Sequence, residues 1–469
     1  MPKFDTSAFR RCLLLPVILW LASQITGGDF CSAQQPPGAP VDQVEAAEVA
    51  EKDESPKRND PGPPQPEFNL EANLLTFDKV WETVAETLWD QELLEQRWRP
   101  ARDKYRVQVE QSNSQASVRK LIQAMIDELE LSHFGIIQAS SVDLIDASEH
   151  SGDASVGLEF RLTDDGIIVS KVHEQSSASE AGVKPGWILE KMGPIVSSEL
   201  LEKLESATRG PVRKETLVGL TTKELSTGKV GAKKSFHFLD ENDQTQCVDL
   251  QLNAADGQMA IFGQLPPIRV QTRVKTLPGG IGYYWFSAFL DPVRLMPEYR
   301  TIIRDPNHQQ GMIIDLRGNV GGLGAMTMGM ASEFSDEPAS LGVMTMKGAE
   351  LKFLVNEHPD PVTGPVAILV DECSISSAEI FAGGLQDLGR ARVFGGRTAG
   401  LALPSIVIRL PNGDGFQYAM ANYHSASGKT LELNGVIPDE VIPLNRALLI
   451  SDPDPVLTRA IDWIEQQTR

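Results

Sequence analysis

The stretch Pro365–Leu401, PVAILVDECSISSAEIFAGGLQDLGRARVFGGRTAGL, constrains this chain more than any other. Val366–Val370 is an unbroken run of apolar and small residues and predicts a buried strand. Asp371–Ser376 is small and polar and suits a turn. Ser377–Leu388 carries Ile380, Phe381, Leu385 and Leu388 at helical spacing, and Gly389 closes that helix. A second short strand follows at Ala391–Phe394. Ser374, Ser376 and Ser377 therefore fall between a strand end and a helix start, where a hydroxyl is expected to be exposed at the sheet edge. The unpaired N–H groups of the first helical turn can face a developing oxyanion there. The physical logic is that of a nucleophile elbow, without its G-x-S-x-G sequence. These residues alone leave two readings open. Ser376 is a nucleophile, or it is only an N-cap whose capping box is closed by Glu379 three residues on.

From Arg269 onward strands and helices alternate, which points to an α/β core. Ile281–Phe289 reads as a strand. Residues 311–323, GMIIDLRGNVGGL, read as a strand running into a glycine-rich turn, where Gly321 and Gly322 let the backbone approach a ligand closely. A phosphate loop is the rival reading of those glycines, but it lacks the G-K-[ST] ending.

The run S-I-S-S-A-E-I-F-A-G-G-L-Q-D-L-G-R-A, followed by G-G-R-T-A-G, resembles the signature of the C-terminal processing (tail-specific) serine peptidases and their tricorn-core relatives. D-L-R-G-N-V-G-G at 315–322 resembles that family's second signature, and S-G-K-T-L-E-L-N-G-V-I-P-D at 427–439 its closing one. The resemblance implies a crotonase-like ββα peptidase core with Ser376 as nucleophile. It also implies an oxyanion hole made by the N–H of Gly321 or Gly322 together with that of Ser377. One departure bears on the base. Ser/Lys members carry T-F-G-K-G, whereas this chain has T-A-G-L at 398–401, and Leu401 cannot accept a proton. The ending L-x-x-S-H at 129–133 resembles the tricorn-core branch, which implies His133 as base, oriented by Ser132, with Glu432 completing a Ser-His-Ser-Glu set. An imidazole titrating near its ordinary value of ~6.5 would then set the acid limb of activity.

Between these parts, Val156–Phe160 (VGLEF) and residues 176–189 (SSASEAGVKPGWIL) resemble the carboxylate-binding loop and the S-x-A-x-x-A-G segment of PDZ domains. Trp187 replaces the usual Asp. The resemblance implies that Val156, Gly157, Leu158, Glu159 and Phe160 receive a peptide C-terminus, with the peptide adding a strand to the sheet edge. Thr208–Lys234 is longer and more polar than such a module requires.

The amino terminus reads as an address. Arg10 and Arg11 precede an apolar run, Cys12–Ala22, and small residues end near Cys31-Ser32-Ala33. That is the pattern of a secretory signal peptide, with a membrane tether if it stays uncleaved, and it implies a periplasmic or extracellular protein. Two cysteines then remain, Cys247 and Cys373, too few for a disulfide framework. Residues 34–67 have the Pro-, Glu-, Asp- and Lys-rich composition of a disordered linker. Two amphipathic stripes follow, Val80, Trp81, Val84, Leu88 and Trp89, then Val118, Leu121, Ile122, Met125, Ile126 and Leu129. They predict helices, the second of which ends near Ser132-His133 and so exposes the imidazole. A net charge of −21 and the lack of a basic patch argue against nucleic-acid binding.

The expectation is thus a multidomain α/β protein: signal peptide 1–33, linker 34–67, helical domain 68–150, PDZ-like module 151–266 and serine peptidase core 267–469. It would be an endopeptidase of protein or peptide substrates that needs no metal and no cofactor. The alternative is a non-catalytic peptide- or ligand-binding member of the same superfamily.

Overall fold

The computed structural model describes residues 68–138, 154–207, 212–261 and 267–468. The expected signal peptide and linker lie outside them.

Helix α1, Leu70–Thr87, starts at Asn69, whose side chain accepts from the Ala72 N–H. Its stripe of Phe77, Val80 and Val84 is buried. Helix α2, Arg99–Glu110, was not legible as a separate amphipathic unit. Its buried residues are only Ala101, Tyr105 and Val109, one per turn among charged neighbours. Helix α3, Gln115–Asp127, is capped by Ser114 and buries Val118, Ile122, Met125 and Ile126 against the other two helices. The chain then leaves the helix and forms strand β1, Gly135–Ile137.

The middle module is an antiparallel sheet of β2 (Leu158–Thr163), β3 (Gly166–Val172), β4 (Ile188–Met192), β5 (Lys233–Leu239) and β6 (Thr245–Gln251), paired in that order. The stretch that exceeded a minimal module contains helix α4, Lys214–Leu225. Its Leu217 and Val218 join Phe160 and Phe236 in the module's core. Its Leu220 turns the other way, into a small apolar cluster with Cys373, Ile375, Ala399 and Leu401. The extra residues therefore bind the module to the turn that carries Ser376.

The core is a six-stranded sheet. Its strands are β7 (Thr272–Leu277), β8 (Ile281–Phe286), β9 (Gly311–Asp315), β10 (Val366–Val370), β11 (Arg392–Gly395) and a short edge strand, Glu440–Val441. All pairings are parallel except β7–β8. Alternate side chains feed opposite faces. Tyr284, Ile314 and Ile368 meet helices α5 (Pro292–Ile303), α6 (Gly324–Ser332) and α7 (Ser377–Asp387). Tyr283, Ile313 and Leu369 meet α8, Pro455–Gln467. Burial on both faces explains why these strands read as continuous apolar runs.

A hairpin, β12 (Ser405–Arg409) and β13 (Gly415–Ala419), leaves the core and takes β1 as its third strand, with Ile136 opposite Phe416. Arg119 grips the buried Asp414 through two bonds of 2.7 and 2.8 Å. These contacts fix the helical segment, and the residues just before β1, onto the core.

Candidate active site

The loops after β9 and β10 emerge side by side at the carboxyl ends of adjacent parallel strands, where open α/β sheets place their ligands. Ser376 sits at φ 58°, ψ −116°, a backbone region that L residues avoid, just ahead of α7. Its surroundings hold it there. The Ser376 N–H donates to the Leu401 carbonyl and to Glu379 Oε2, each at 3.0 Å. The Ile375 N–H donates to the Asn319 carbonyl at 2.9 Å, and the Ala399 N–H to the Ser374 carbonyl at 3.1 Å. The three hydroxyls fare differently. Ser374 Oγ donates to the Leu316 carbonyl at 2.8 Å and Ser377 Oγ to the Gly322 carbonyl at 2.8 Å, so both are committed. Ser376 is sheltered, only 8% exposed, rather than open at the sheet edge as its position in sequence suggested. The reason is that loops 316–323 and 398–402 are bonded to its own turn. Cys373 packs against Gly219 of α4, and burial pushes its thiol well above the ordinary range, so it stays protonated at neutral pH.

The glycine turn supplies the neighbouring backbone. Gly322 bridges Phe289 in parallel register. The Phe289 N–H donates to the Gly321 carbonyl and the Leu323 N–H to the Phe289 carbonyl, at 2.7 and 2.8 Å. Such a register turns the peptide groups of Gly322 itself away from Phe289, toward the first turn of α7, where its carbonyl accepts from Ser377. The two glycines offered as donors are thereby separated. The Gly321 N–H is committed to Asn319 Oδ1 at 2.9 Å, which leaves Gly322 as the remaining candidate of the two. Glycine is required at 322, because φ is 142° and a Cβ would come within 2.3 Å of the Phe289 carbonyl oxygen. Gly322→Ala should therefore displace the turn, and on the expectation that the Gly322 N–H serves the oxyanion it should lower kcat about 10²–10³-fold, the cost of one such donor. Steady-state kinetics with KM nearly unchanged would be the signature. The D-L-R part of the motif is scaffolding: Asp315 accepts from Tyr283 Oη at 2.7 Å and from Arg317, which reaches on to Asp454.

Ser132 and His133 do not end the helix; they lie past it, in the bend that leads into β1. His133 is 1% exposed, with φ 62°, so the exposed imidazole expected from the sequence is instead drawn inside by β1–β13 pairing. Its Nδ1 lies 2.5 Å from Ser132 Oγ. Ser132 Oγ donates to Glu432 Oε2 at 2.9 Å, and the Ser132 N–H to Glu432 Oε1 at 2.8 Å. The Ala402 N–H adds a bond to Oε2 at 3.1 Å. His133 Nε2 is buried and has no hydrogen-bond partner. Burial pushes the imidazole down to about 3, so it is neutral at working pH. Burial likewise pushes the Glu432 carboxyl up to about 7, against the three N–H and O–H groups that favour its charge. Leu401 is fully buried. Lys429 is exposed and paired with Asp387 at 2.9 Å.

Sequence reasoning missed two residues. Glu379 was legible only as a capping-box partner. Arg161, on β2, reaches out of the middle module to pair with Asp371 and, at 3.1 Å, with Glu372, both in the turn ahead of Ser376. An arginine in a strand carries no local sign of such a contact.

A cavity of about 350 Å³ lies between the middle module and the core. Gly157, Leu158, Glu159 and Phe160 line it on one side; Gly318 and Val320 of the glycine turn and Cys373 line it on the other. Val156 is buried in the module's core, its carbonyl accepting from the Ala178 N–H at 3.2 Å. Glu159 bonds His173 at 2.7 Å.

Residues 281–442 match the model of peptidase family S41, the core described above. A carboxyl-terminal-processing protease of Picosynechococcus sp. is 30% identical over 157 residues, 33% of this chain and 38% of that protein. A carboxyl-terminal-processing protease of Synechocystis sp. is 25% identical over 405 residues, 84% of this chain and 86% of that one. Among solved structures, the photosystem II D1 C-terminal processing protease aligns with TM-score 0.54 at 19% identity, covering 82% of this chain and 96% of that one. Mature CPAF complexed with lactacystin aligns with TM-score 0.53 at 13% identity, covering 85% and 98%. These structures share the multidomain α/β fold.

Proposed function

We propose that this chain, whose core belongs to the serine-type peptidases of family S41, is an exported endopeptidase working through Ser376 and His133. The observation that carries this reading is the buried chain His133–Ser132–Glu432, which ends in an imidazole nitrogen with no partner and shares loop 398–402 with Ser376. With Glu432 ionised, Ser132 donates to it and accepts from His133 Nδ1–H, which leaves the lone pair on Nε2. Nε2 then takes the Ser376 proton as Oγ attacks the scissile carbonyl carbon. The carbonyl electrons move onto oxygen, opposite the N–H groups of Gly322 and Ser377. Collapse breaks the C–N bond, His133 returns the proton to the leaving amine, and water hydrolyses the ester by the same path reversed. Apo geometry is commonly looser than that of the substrate complex, so Ser376 and His133 close on each other when substrate binds.

The middle module is proposed to read substrate C-termini, and the signal-like amino terminus to send the protein across a membrane. The cavity that joins Gly157–Phe160 to the glycine turn supports the first; the sequence alone supports the second. An unstructured protein with a free, apolar C-terminus should be cut, and C-terminal amidation should lower cleavage about tenfold by removing charge-assisted bonds. Equal cleavage of both forms would remove tail reading. Binding of both without cleavage would favour the non-catalytic alternative.

A further inference from the structure

Glu379 lies in the first turn of α7, 0% exposed, and its carboxylate accepts four hydrogen bonds. Oε1 takes Thr398 Oγ1 at 2.6 Å and the Gly400 N–H at 2.7 Å. Oε2 takes the Leu401 N–H at 2.9 Å and the Ser376 N–H at 3.0 Å. A capping box needs only the last of these. The other three leave the helix for loop 398–401. The next N–H along that loop, Ala402, goes to Glu432, the carboxylate that holds Ser132 and through it His133. The Leu401 carbonyl, in turn, receives the Ser376 N–H. One loop is thus bracketed by two buried carboxylates, one on the nucleophile's side and one on the base's.

We propose that Glu379 is a positioning residue for the reaction: as an anion it fixes loop 398–402 as the common frame in which Ser376 and His133 are held. The inference rests on the serine peptidase reading above. Charge is essential to the role. Four donors fill the acceptor sites of a carboxylate; three are backbone N–H groups that cannot accept, and Thr398 Oγ1, which also receives the Val436 N–H at 2.6 Å, could accept from a protonated Glu379 only by giving up its own donation to Oε1. The groups that face Glu379 from α7 and from loop 398–401 are uncharged, and across the loop stands Glu432, whose carboxyl the Glu379 charge pushes up. Burial raises Glu379 as well, so both carboxyls resist ionisation and both must ionise for the frame to hold.

The test compares the full chain with Glu379→Gln and Glu379→Asp, by hydrolysis and by the rate of fluorophosphonate acylation across pH. Glu379→Gln is isosteric but sets an NH₂ against N–H donors. It should lose about 10² in kcat with KM within about twofold, the cost of a misplaced nucleophile. The acid side of kcat/KM should move to lower pH, because the Glu379 charge that helps to push the Glu432 carboxyl up is gone. Glu379→Asp keeps the charge and should recover part of kcat and the wild-type acid limb; it also serves if the Gln variant does not fold. Wild-type activity in Glu379→Gln, or equal losses in both variants with an unchanged acid limb, would overturn the proposal and leave the peptidase reading standing. A wild-type protein inert to both substrate and probe would remove that reading, and this one with it.

Discussion

Ser376→Ala is expected to abolish hydrolysis, lowering kcat on the order of 10⁶-fold, because no neighbouring group can substitute for the lost oxygen. Ser374 and Ser377 are the nearest alternatives in sequence, and each already donates its hydroxyl to a carbonyl, Leu316 and Gly322. The thiol of Cys373 is held protonated against α4. The fold should survive. The backbone of Ser376 is fixed by its N–H bonds to Leu401 and Glu379, which alanine keeps, so the stability change should stay within about 1–2 kcal/mol. Thermal melting beside single-turnover kinetics checks both halves. Residual cleavage within about tenfold of wild type would assign the chemistry elsewhere.

Glu432→Gln should cost about 10³–10⁴ in kcat through the tautomer of His133, the penalty expected when an acceptor in a catalytic relay becomes a donor. The amide NH₂ must face either the Ser132 N–H, in place of Oε1, or both Ser132 Oγ and the Ala402 N–H, in place of Oε2. Donating to Ser132 Oγ turns that hydroxyl toward His133 Nδ1 and places the proton on Nε2, where it blocks the base. Protonation of Glu432 does the same reversibly. The acid limb of wild-type kcat/KM should therefore follow the carboxyl, at about 7, rather than an imidazole near its ordinary value, since burial has pushed His133 to about 3. The stability linkage has the opposite sense. A carboxyl whose folded value is raised from 4.5 to about 7 contributes stability that is fully present below its ordinary value and is lost as pH rises through about 7. The shift corresponds to about 3 kcal/mol. His133, pushed down, contributes stability that is present above 6.5 and lost as pH falls toward 3. The Glu432 and His133 contributions thus offset each other from pH 4.5 to 6.5, and Glu432→Gln, which loses the first, should gain stability relative to the wild type as pH rises through that window. An unchanged acid limb in that variant would show that Glu432 does not set the base.

Strand and helix boundaries around Ser376 were legible because a parallel sheet buried on both faces writes itself as apolar runs separated by glycine and polar turns. The predicted strand Val366–Val370 coincides with β10, and the predicted helix Ser377–Leu388 with α7 to within one residue. Helix α2 lies in the segment read as helical but was not legible as a unit of its own, because one buried residue per turn leaves no stripe among so many charges. At the site, residue types could be read but not their environments. Glu432 lies 300 positions from the adjacent pair Ser132 and His133, and the burial of that pair depends on β1 joining β13, which no local pattern signals. Exposure was misjudged for His133 for that reason, and for Ser376 because loops 316–323 and 398–402 are bonded to its turn. Glu379 looked like a cap because its partner in sequence is Ser376; its three other donors come from a loop some 20 residues on. Arg161 is the same lesson across modules.

The most direct test of the Ser376–His133 account is mass-spectrometric mapping of a fluorophosphonate adduct on the full chain, with its formation rate followed from pH 5 to 9. The expected result is a single adduct on Ser376, forming faster as pH rises through about 7 and lost in His133→Ala. An adduct on another residue, or labelling of Ser376 at an undiminished rate in His133→Ala, would contradict it.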